Sequence, residues 1–192
     1  MIIGLVRHGQ TDWNAQGIIQ GQTDIPLNEA GVQQAQSLAN RLAEEAPIWN
    51  AVISSDLQRA RRTASIIAEK LDIPVLAPDP RFRERDFGEV EGTTEAERLA
   101  RWGSNWRECG PGIENTEALR ARGREAVLEL LHREKERNIL IVSHGGFIAQ
   151  LLQELCSGLE DMKLGNLSYS ILQRDGEGWQ SLLHNCTRHL DS

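Results

Sequence analysis

The sequence predicts an α/β fold, a three-layer sandwich in which helices cover both faces of a mostly parallel central sheet and a C-terminal hairpin closes one edge. Short apolar runs alternate along the chain with segments of helical period, the pattern of a parallel sheet covered on both faces. Two of these runs, residues 2–6 and 139–142, lead into His8 and His144, each followed by glycine. Because open α/β sheets bind ligands at the carboxyl ends of their strands, we expect both histidines at one crevice.

The N-terminal part of the chain is predicted to alternate between strand and helix. After the first strand, the helix capped by Asn28 carries the apolar stripe Val32, Ala35, Leu38, Ala39 and Leu42. A short buried strand at 51–53 precedes a second helix, for which Ser55 or Asp56 is the predicted N-cap. The stripe of that helix is Leu57, Ala60, Ala64, Ile67, Ala68 and Leu71. Residues 74–76 are predicted as a third strand.

The C-terminal part begins with a weakly periodic segment, 93–114, that we expect to form a small cap-like excursion over the sheet. A long helix then follows, marked by Leu119, Val127, Leu130 and Leu131. The strand at 139–142 precedes a helix that begins near Gly145. The apolar runs 167–172 and 179–183 flank a glycine-containing turn, which predicts the edge hairpin.

Length and composition exclude several classes of protein. A chain of 192 residues suits one domain spanning 1–192, and its net charge of -7 argues against a nucleic-acid binder, which needs a basic face. The apolar start of about five residues is shorter than a signal-peptide core, and no run reaches the about 18 apolar residues of a membrane span. Cys109, Cys156 and Cys186 form no metal-binding or redox pair. We therefore expect a cytoplasmic protein that binds neither membranes nor nucleic acid.

Four residues capable of chemistry follow predicted strands. His8 and His144 come directly after two of them, Arg59 lies in the first turn of the helix after the second strand, and Glu84 follows the third. Parallel neighbouring strands would collect all four side chains in one crevice. Arginine binds phosphoryl oxygens through two parallel hydrogen bonds, and neutral imidazole is a nucleophile, so the set favours a phosphate site.

Each of these residues also has a simpler interpretation. A lone histidine at a strand end is more often structural, and Arg59 belongs to a basic cluster with Arg61 and Arg62 that is typical of a solvated helix face. Glu84 lies in a run of charges typical of a surface turn. Adjacent strand residues such as Arg7 and His8 point to opposite faces unless the chain turns sharply. These interpretations do not explain why all the candidates fall at strand ends, so we favour the site.

Five ordered motifs give the sequence a family resemblance. It resembles the histidine phosphatase superfamily, also called phosphoglycerate-mutase-like, and the shared segments cover most of the chain. The motifs are RHGQTDWN (7–14), GQTDIPLNEAG (21–31), SSDLQRARRTA (54–64), RFRERDFGEVEG (81–92) and VSHGG (142–146).

The resemblance implies a role for each matching residue. His8 is expected to accept the phosphoryl group as a phosphohistidine, and Glu84 to donate a proton to the leaving oxygen and then activate water. The implied phosphate pocket consists of Arg7, Arg59, His144, Asn14, Gln20 and the backbone near Gly21 and Gly145. A ring of cationic donors can replace the magnesium that other phosphoryl-transfer enzymes use, so neither a metal nor a cofactor is implied. The implied substrate is a small phosphorylated metabolite.

Departures from the mutase pattern favour hydrolysis. Gln10 stands where many relatives carry glutamate or serine, Phe87 stands where the mutases usually have tyrosine, and the chain lacks their long middle insertion with its paired arginines. The alternatives are a cofactor-dependent phosphoglycerate mutase and a catalytically silent module that binds a phosphorylated ligand. Silent relatives usually lose the nucleophile or the acid, and both His8 and Glu84 are present.

Arginines in the excursion could extend the site. Arg98, Arg101 and Arg107 could hold a second anionic group of the substrate, but they alternate with glutamates, so we predict a solvated helix face. Trp102 and Trp106 are predicted to contribute to packing rather than to the pocket.

Overall fold

The computed structural model describes residues 1–156, 158–159, 163–176 and 178–191, except for the side chain of Cys109. Its strands are β1 (Ile2–Arg7), β2 (Ala51–Ser54), β3 (Ile139–Ser143), β4 (Tyr169–Asp175) and β5 (Gly178–Cys186). Its helices are α1 (Asp12–Ala15), α2 (Glu29–Glu44), α3 (Gln58–Leu71), α4 (Glu95–Trp102), α5 (Trp106–Cys109), α6 (Thr116–Arg133) and α7 (Gly145–Leu155). Short 3-10 turns lie at Pro80–Phe82, Gly88–Val90 and Arg188–Leu190.

The five strands form one mixed sheet in the order β2-β3-β1-β4-β5. The central pairs β1–β3 and β2–β3 are parallel, whereas β4 runs antiparallel to both β1 and β5. The predicted parallel centre and the edge hairpin are therefore confirmed. Arg7 pairs with Ser143 in the β1–β3 ladder, so the residues that follow, His8 and His144, leave the sheet at the same level.

Helices cover both faces of the sheet, as predicted. Alternate residues of β3 point to opposite sides: Ile141 packs with α6 and α7, and Val142 packs with α2 and α3. Phe147 and Leu130 are buried in the first layer, and Leu38 in the second. The N-cap of α2 is also as predicted, because the Asn28 side chain accepts a hydrogen bond from the backbone of the first turn. No helix in the described part of the chain is both long and apolar enough to cross a membrane.

The prediction of a third strand at 74–76 is wrong. Only Val75 forms a ladder bridge, a parallel one with Val52, and the segment otherwise runs along the edge of β2 as irregular chain. Pro74 has no backbone N–H to donate, and Pro78 follows four residues later, so the segment cannot extend its pairing.

The predicted N-cap of α3 is also wrong. Leu57 occupies the cap position and makes no side-chain cap bond; the Asp24 carboxylate accepts from the backbone N–H of Gln58 at 2.7 Å instead. A carboxylate from another loop therefore does the work of a local cap. The two predicted caps are engaged elsewhere, Ser55 with His144 and Asp56 with Arg83.

The excursion at 93–114 contains the short helices α4 and α5. Trp106 is buried, and Arg98 lies over its ring with the guanidinium carbon 4.9 Å from the ring centroid. Arg98 also donates to the backbone carbonyl of Thr93. The prediction of a solvated face is therefore wrong for Arg98, which is buried because its charge packs on an aromatic ring, whereas Arg101 and Arg107 are exposed.

Candidate active site

The register of the sheet brings the two sequence-predicted histidines together. The rings of His8 and His144 lie with their centroids 5.1 Å apart, and both side chains are buried. Behind them, the hydroxyl of Ser55 at the end of β2 lies 2.7 Å from Nε2 of His144. Three neighbouring strands thus place one polar side chain each at the same end of the sheet.

The tautomer of His8 leaves a lone pair on the ring nitrogen Nε2. Its Nδ1 lies 2.7 Å from the carbonyl oxygen of Gly9, which can only accept, so Nδ1 carries the proton and donates. The other nitrogen, Nε2, then holds a lone pair and accepts from Nε of Arg59 at 3.3 Å. The sequence did not indicate that a neighbouring backbone carbonyl would orient this ring.

Both histidines are held in the neutral form. Burial, reinforced by the positive charges of Arg59 and Arg7, lowers the pKa of His8 well below its ordinary value. Burial and then the charge of Arg59 lower the pKa of His144 in the same way. An uncharged imidazole, which keeps a lone pair on one ring nitrogen, is the nucleophilic form of the side chain.

Arg59 is clamped by the loop of residues 21–23, which directly precedes Asp24, the residue whose carboxylate caps α3. Its two terminal nitrogens donate to the carbonyl oxygens of Gly21 at 2.7 Å and Thr23 at 2.8 Å. The carboxylate of Glu91 in turn accepts from the backbone N–H groups of Gln22 and Thr23, at 2.8 and 2.9 Å. Gly21 has φ +53, and a Cβ there would lie 1.8 Å from the Glu91 carboxylate, so only glycine fits. Burial lowers the pKa of Arg59 to about 10, which leaves it cationic at neutral pH.

Arg7 lies beside the first turn of α7. Its Nη1 donates to the carbonyl of Leu164 at 2.6 Å, while its Nε is buried without a hydrogen-bond partner among the described residues. A Cβ at Gly145 would lie 3.1 Å from that Nε, so this glycine lets the guanidinium approach the helix closely. A buried donor that the protein leaves unpaired is well suited to an anionic ligand.

Glu84 belongs to the segment 80–91, which we call the Glu84 loop. Its carboxylate binds backbone N–H groups at the N-terminus of α7. Oε2 accepts from the backbone of Gly146 at 2.9 Å, and Oε1 accepts from the backbone of Phe147 at 2.7 Å and of Arg85 at 2.8 Å. The end of a helix offers unpaired N–H groups and favours negative charge. The helix after His144 therefore holds the carboxylate of Glu84, which lines the same cavity as His8.

These groups surround a cavity of about 300 Å³. Most of the sequence-predicted site residues line it, namely Arg7, His8, Asn14, Gln20, Gly21, Arg59 and Glu84. His144 and Gly145 are not among the lining residues; they lie behind His8 and Arg7, respectively. The alternative of a solvated face for Arg59 is wrong, because only 1% of its surface is exposed.

The two predicted amides are already oriented by the chain. Oδ1 of Asn14 accepts from the backbone of Thr11 at 3.2 Å and from Asn166 at 3.1 Å, which leaves its amide N–H groups for other acceptors. Oε1 of Gln20 accepts from the Thr11 hydroxyl at 2.9 Å. These bonds pair the amide oxygen of each side chain, so the amide N–H groups remain available to a ligand.

Part of the cavity wall was missed by the sequence analysis. Asn166 lines it and also donates to the carbonyl of His8 at 3.3 Å. The wall is completed by Gly17, Ile18, Ile19, Phe87 and Lys163. Asn166 lies in an irregular segment just before β4, where no periodicity indicates its direction. Among the described residues, no group of three or more His, Cys, Asp or Glu side chains could hold a metal ion.

Comparison with known proteins identifies the family. A profile of the histidine phosphatase superfamily (branch 1) matches residues 3–187. The chain belongs to this superfamily. The predicted fold and family are thus both confirmed.

Relatives in the superfamily match over almost the whole chain. The uncharacterized phosphatase PhoE of Bacillus subtilis (strain 168) is 37% identical over 189 residues, which cover 97% of this chain and 95% of PhoE. The metal-independent phosphoserine phosphatase of Arabidopsis thaliana is 35% identical over 187 residues, covering 92% of this chain and 78% of that protein. The solved structure of mycobacterial glucosyl-3-phosphoglycerate phosphatase with VO3 aligns with a TM-score of 0.84 at 32% identity, covering 96% of this chain and 99% of that one. Other relatives are named probable phosphoglycerate mutases.

Proposed function

We propose that this protein is a metal-independent phosphomonoesterase that hydrolyses small phosphorylated metabolites through a phosphohistidine on His8. The observation that carries the proposal is the fixed tautomer of His8. Its Nε2 lone pair lies beside the cation of Arg59, and Arg7 and Glu84 line the same cavity. A neutral nucleophile, cationic donors for the phosphoryl oxygens and a carboxyl group are the parts that the reaction needs.

In the first step, Nε2 of His8 attacks the phosphorus of the monoester. A bond from nitrogen to phosphorus forms as the ester bond breaks, and the electron pair of that bond goes to the leaving oxygen. Glu84 gives its proton to this oxygen, so the product departs as a neutral alcohol. Glu84 acts as the acid in this step, and the proton it gives up goes to the leaving oxygen.

In the second step, water attacks the phosphorus of the phosphohistidine. Glu84, now a carboxylate, takes the proton of the water, and the nitrogen–phosphorus bond breaks with its electron pair returning to His8. Inorganic phosphate leaves, and Glu84 is again protonated. Both the acid and the nucleophile are therefore restored.

The remaining site residues are assigned to the phosphoryl oxygens. Arg7 and Arg59 offer N–H groups to developing negative charge, and we assign the amide N–H groups of Asn14 and Gln20, which line the same cavity, to the same role. His144 supports this charge from behind His8. Backbone N–H groups at Gly21 and Gly145 are the further donors that we assign to the substrate, the latter at the start of α7.

A small cavity and a short excursion favour hydrolysis of a small substrate. The volume of about 300 Å³ suits a phosphorylated metabolite, and two relatives are named for phosphoserine and glucosyl-3-phosphoglycerate. We propose that 1–192 form one histidine-phosphatase domain with 93–114 as its cap. Its helices have only 8 and 4 residues, and Arg98 packs on Trp106 instead of lining the cavity. A mutase must retain a phosphorylated intermediate, which requires more anchoring than this cap offers.

We also propose that the enzyme works in the cytoplasm. Cys156 and Cys186 are free and buried. Unpaired thiols persist in a reducing compartment.

The decisive experiment traps the intermediate. The enzyme is mixed with phosphoserine, quenched within milliseconds, and digested to locate acid-labile, base-stable phosphate. We expect this phosphate on His8, its absence in His8→Ala, and unchanged turnover in the presence of a chelator. Full activity of His8→Ala without a trapped phosphohistidine would refute the mechanism.

Two further outcomes identify the alternatives. Turnover that requires a bisphosphorylated primer would indicate a mutase. Tight retention of phosphoserine with negligible turnover would indicate a binding module.

A further inference from the structure

One arginine outside the cavity, Arg122 on α6, uses every N–H of its guanidinium group. Nη1 donates to the carbonyl oxygens of Arg81 and Arg83 at 2.6 and 2.9 Å, and Nη2 donates to the carbonyl of Glu84 at 3.1 Å. The remaining two bonds, from Nε and Nη2 at 2.7 and 2.9 Å, go to the carboxylate of Glu114. Five donors therefore have five acceptors, which fixes the position of the group.

Three of these acceptors are consecutive or nearly consecutive carbonyls of the Glu84 loop. The loop has no strand to hold it, and its only regular turns are the 3-10 turns at Pro80–Phe82 and Gly88–Val90. Ser143 adds one bond, from its hydroxyl to the carbonyl of Phe82 at 2.6 Å. The Gln22 amide adds another, to the carbonyl of Glu84 at 3.2 Å. Arg122 still supplies three of the side-chain bonds to the backbone next to Glu84.

Arg122 also contacts the platform on which the Glu84 carboxylate lies. Its guanidinium carbon is 5.0 Å from the centroid of the Phe147 ring, and the backbone N–H of Phe147 donates to Glu84. The same guanidinium thus touches the backbone of Glu84 and the helix turn that binds its side chain. Arg122 therefore contacts the protein at both ends of Glu84, at its backbone carbonyl and at the helix turn that binds its carboxylate.

We propose that Arg122, paired with Glu114, is a positioning residue that sets Glu84 for proton transfer to the leaving oxygen; this inference rests on the function proposed above. Arg122 does not line the cavity and takes no part in the chemistry. Its planar fork fits several oxygens at once, which the three N–H groups of a lysine ammonium cannot reproduce. Misplacing a reacting group by about 1 Å can lower a rate by about 10²-fold.

The test is the dependence of rate on the leaving group. A series of monoesters is used, from alkyl phosphates, whose leaving oxygen needs a proton, to 2,4-dinitrophenyl phosphate, whose leaving oxygen does not. For Arg122→Lys we expect a loss of about 10²-fold in kcat/KM with alkyl phosphates and a kcat/KM close to that of the parent enzyme with the dinitrophenyl ester, because kcat/KM reports the first step, in which that leaving oxygen needs no proton. A merely structural role would slow all esters equally, and that result would overturn the proposal.

Matched variants separate this inference from the proposed function. Arg124→Lys changes an arginine on the same helix that pairs with Glu154 at the surface, so its profile should be unchanged. Glu84→Gln should show the same leaving-group dependence as Arg122→Lys, and the double variant should be no slower than Glu84→Gln. If Glu84→Gln shows no such dependence, the acid role of Glu84 fails. If Glu84→Gln shows this leaving-group dependence and Arg122→Lys does not, the positioning role of Arg122 fails.

A second variant covers the case in which Arg122→Lys does not fold. Glu114→Gln keeps the shape of the partner but removes the charge that holds Nε and Nη2. We expect a smaller loss of the same kind, confined to esters with poor leaving groups. An unchanged leaving-group profile in folded Glu114→Gln would overturn the proposal.

Discussion

The cavity lies between two walls that the chain builds in different ways. The strand-end wall consists of His8 and Arg59, which follow β1 and β2, with His144, which follows β3, behind His8. Their places depend on backbone ladders, in which Arg7 pairs with Ser143 and the neighbouring strands share that level. The Glu84 loop has no ladder, and side chains hold it instead.

This difference predicts how each wall responds to substitution. A backbone ladder is a row of cooperative hydrogen bonds that one side chain cannot shift, so damage to the strand-end wall creates buried unsatisfied groups and lowers stability as well as activity. A loop held by a few side-chain bonds can move by a fraction of an ångström without unfolding the protein. Damage there should affect the chemistry more than the stability.

The largest effect is expected for Arg59→Met. It leaves the carbonyl oxygens of Gly21 and Thr23 without their donor, at about 1 to 3 kcal/mol for each buried acceptor, and removes a cation beside His8. We expect kcat/KM to fall by about 10²- to 10³-fold. Urea unfolding and steady-state kinetics measure both effects. Arg62→Met, an exposed change on the same helix, should alter neither, and equal effects of the two variants would contradict this account.

A smaller effect is expected for Gly21→Ala. A Cβ at this position would meet the Glu91 carboxylate at 1.8 Å, so the loop that clamps Arg59 must move. Gly103, at the C-terminal end of α4, provides the matched control, since it also has positive φ, +71, but a Cβ there would meet nothing within 4 Å. Gly103→Ala should cost only the backbone strain of about 1 kcal/mol. Gly21→Ala should lose more stability and also activity, and indistinguishable kinetics in the two variants would show that the clamp does not matter.

On the other wall, Gly146→Ala should separate activity from stability. A Cβ at this position would lie 2.8 Å from Oε1 of Glu84 and would displace the carboxylate. Alanine is also the better helix former by about 1 kcal/mol, so the melting temperature should not fall. We expect about a tenfold loss of kcat/KM with alkyl phosphates. A loss of thermal stability in proportion to the loss of activity would mean that the two walls do not differ.

The sequence indicated the strand-end wall because its signal is local. An apolar run followed by His-Gly marks a strand exit, and two such exits at the same level need only parallel pairing. Glu84 was expected at the crevice after a strand at 74–76 that does not form. It reaches the cavity through bonds from Arg122, 38 residues along the chain.

Long-range side-chain bonds such as the one from Arg122 to Glu84 produce no periodic pattern in a single sequence. Asn166 is another example, since it bonds to the carbonyl of His8 at a separation of 158 residues. Asp24 capping α3 is a third. A long-range side-chain bond depends on the completed fold, whereas a strand end depends on a few neighbouring residues.

The smallest effect concerns pH, and the buried histidines of the strand-end wall contribute to it. Burial and the nearby arginines lower the pKa of His8 well below 6.5 in the folded protein, so the unfolded chain binds a proton that the folded one does not. Below pH 6.5 the free energy of unfolding therefore falls as pH falls, by up to about 1.4 kcal/mol per pH unit, until the folded pKa is reached. His8→Asn removes the contribution of His8 to this pH dependence, so the free energy of unfolding of the variant should fall less steeply than that of the parent between pH 7 and about 5. Urea unfolding over that range measures the slopes. The same slope in His8→Asn as in the parent protein would mean that the nucleophile is not held neutral by burial.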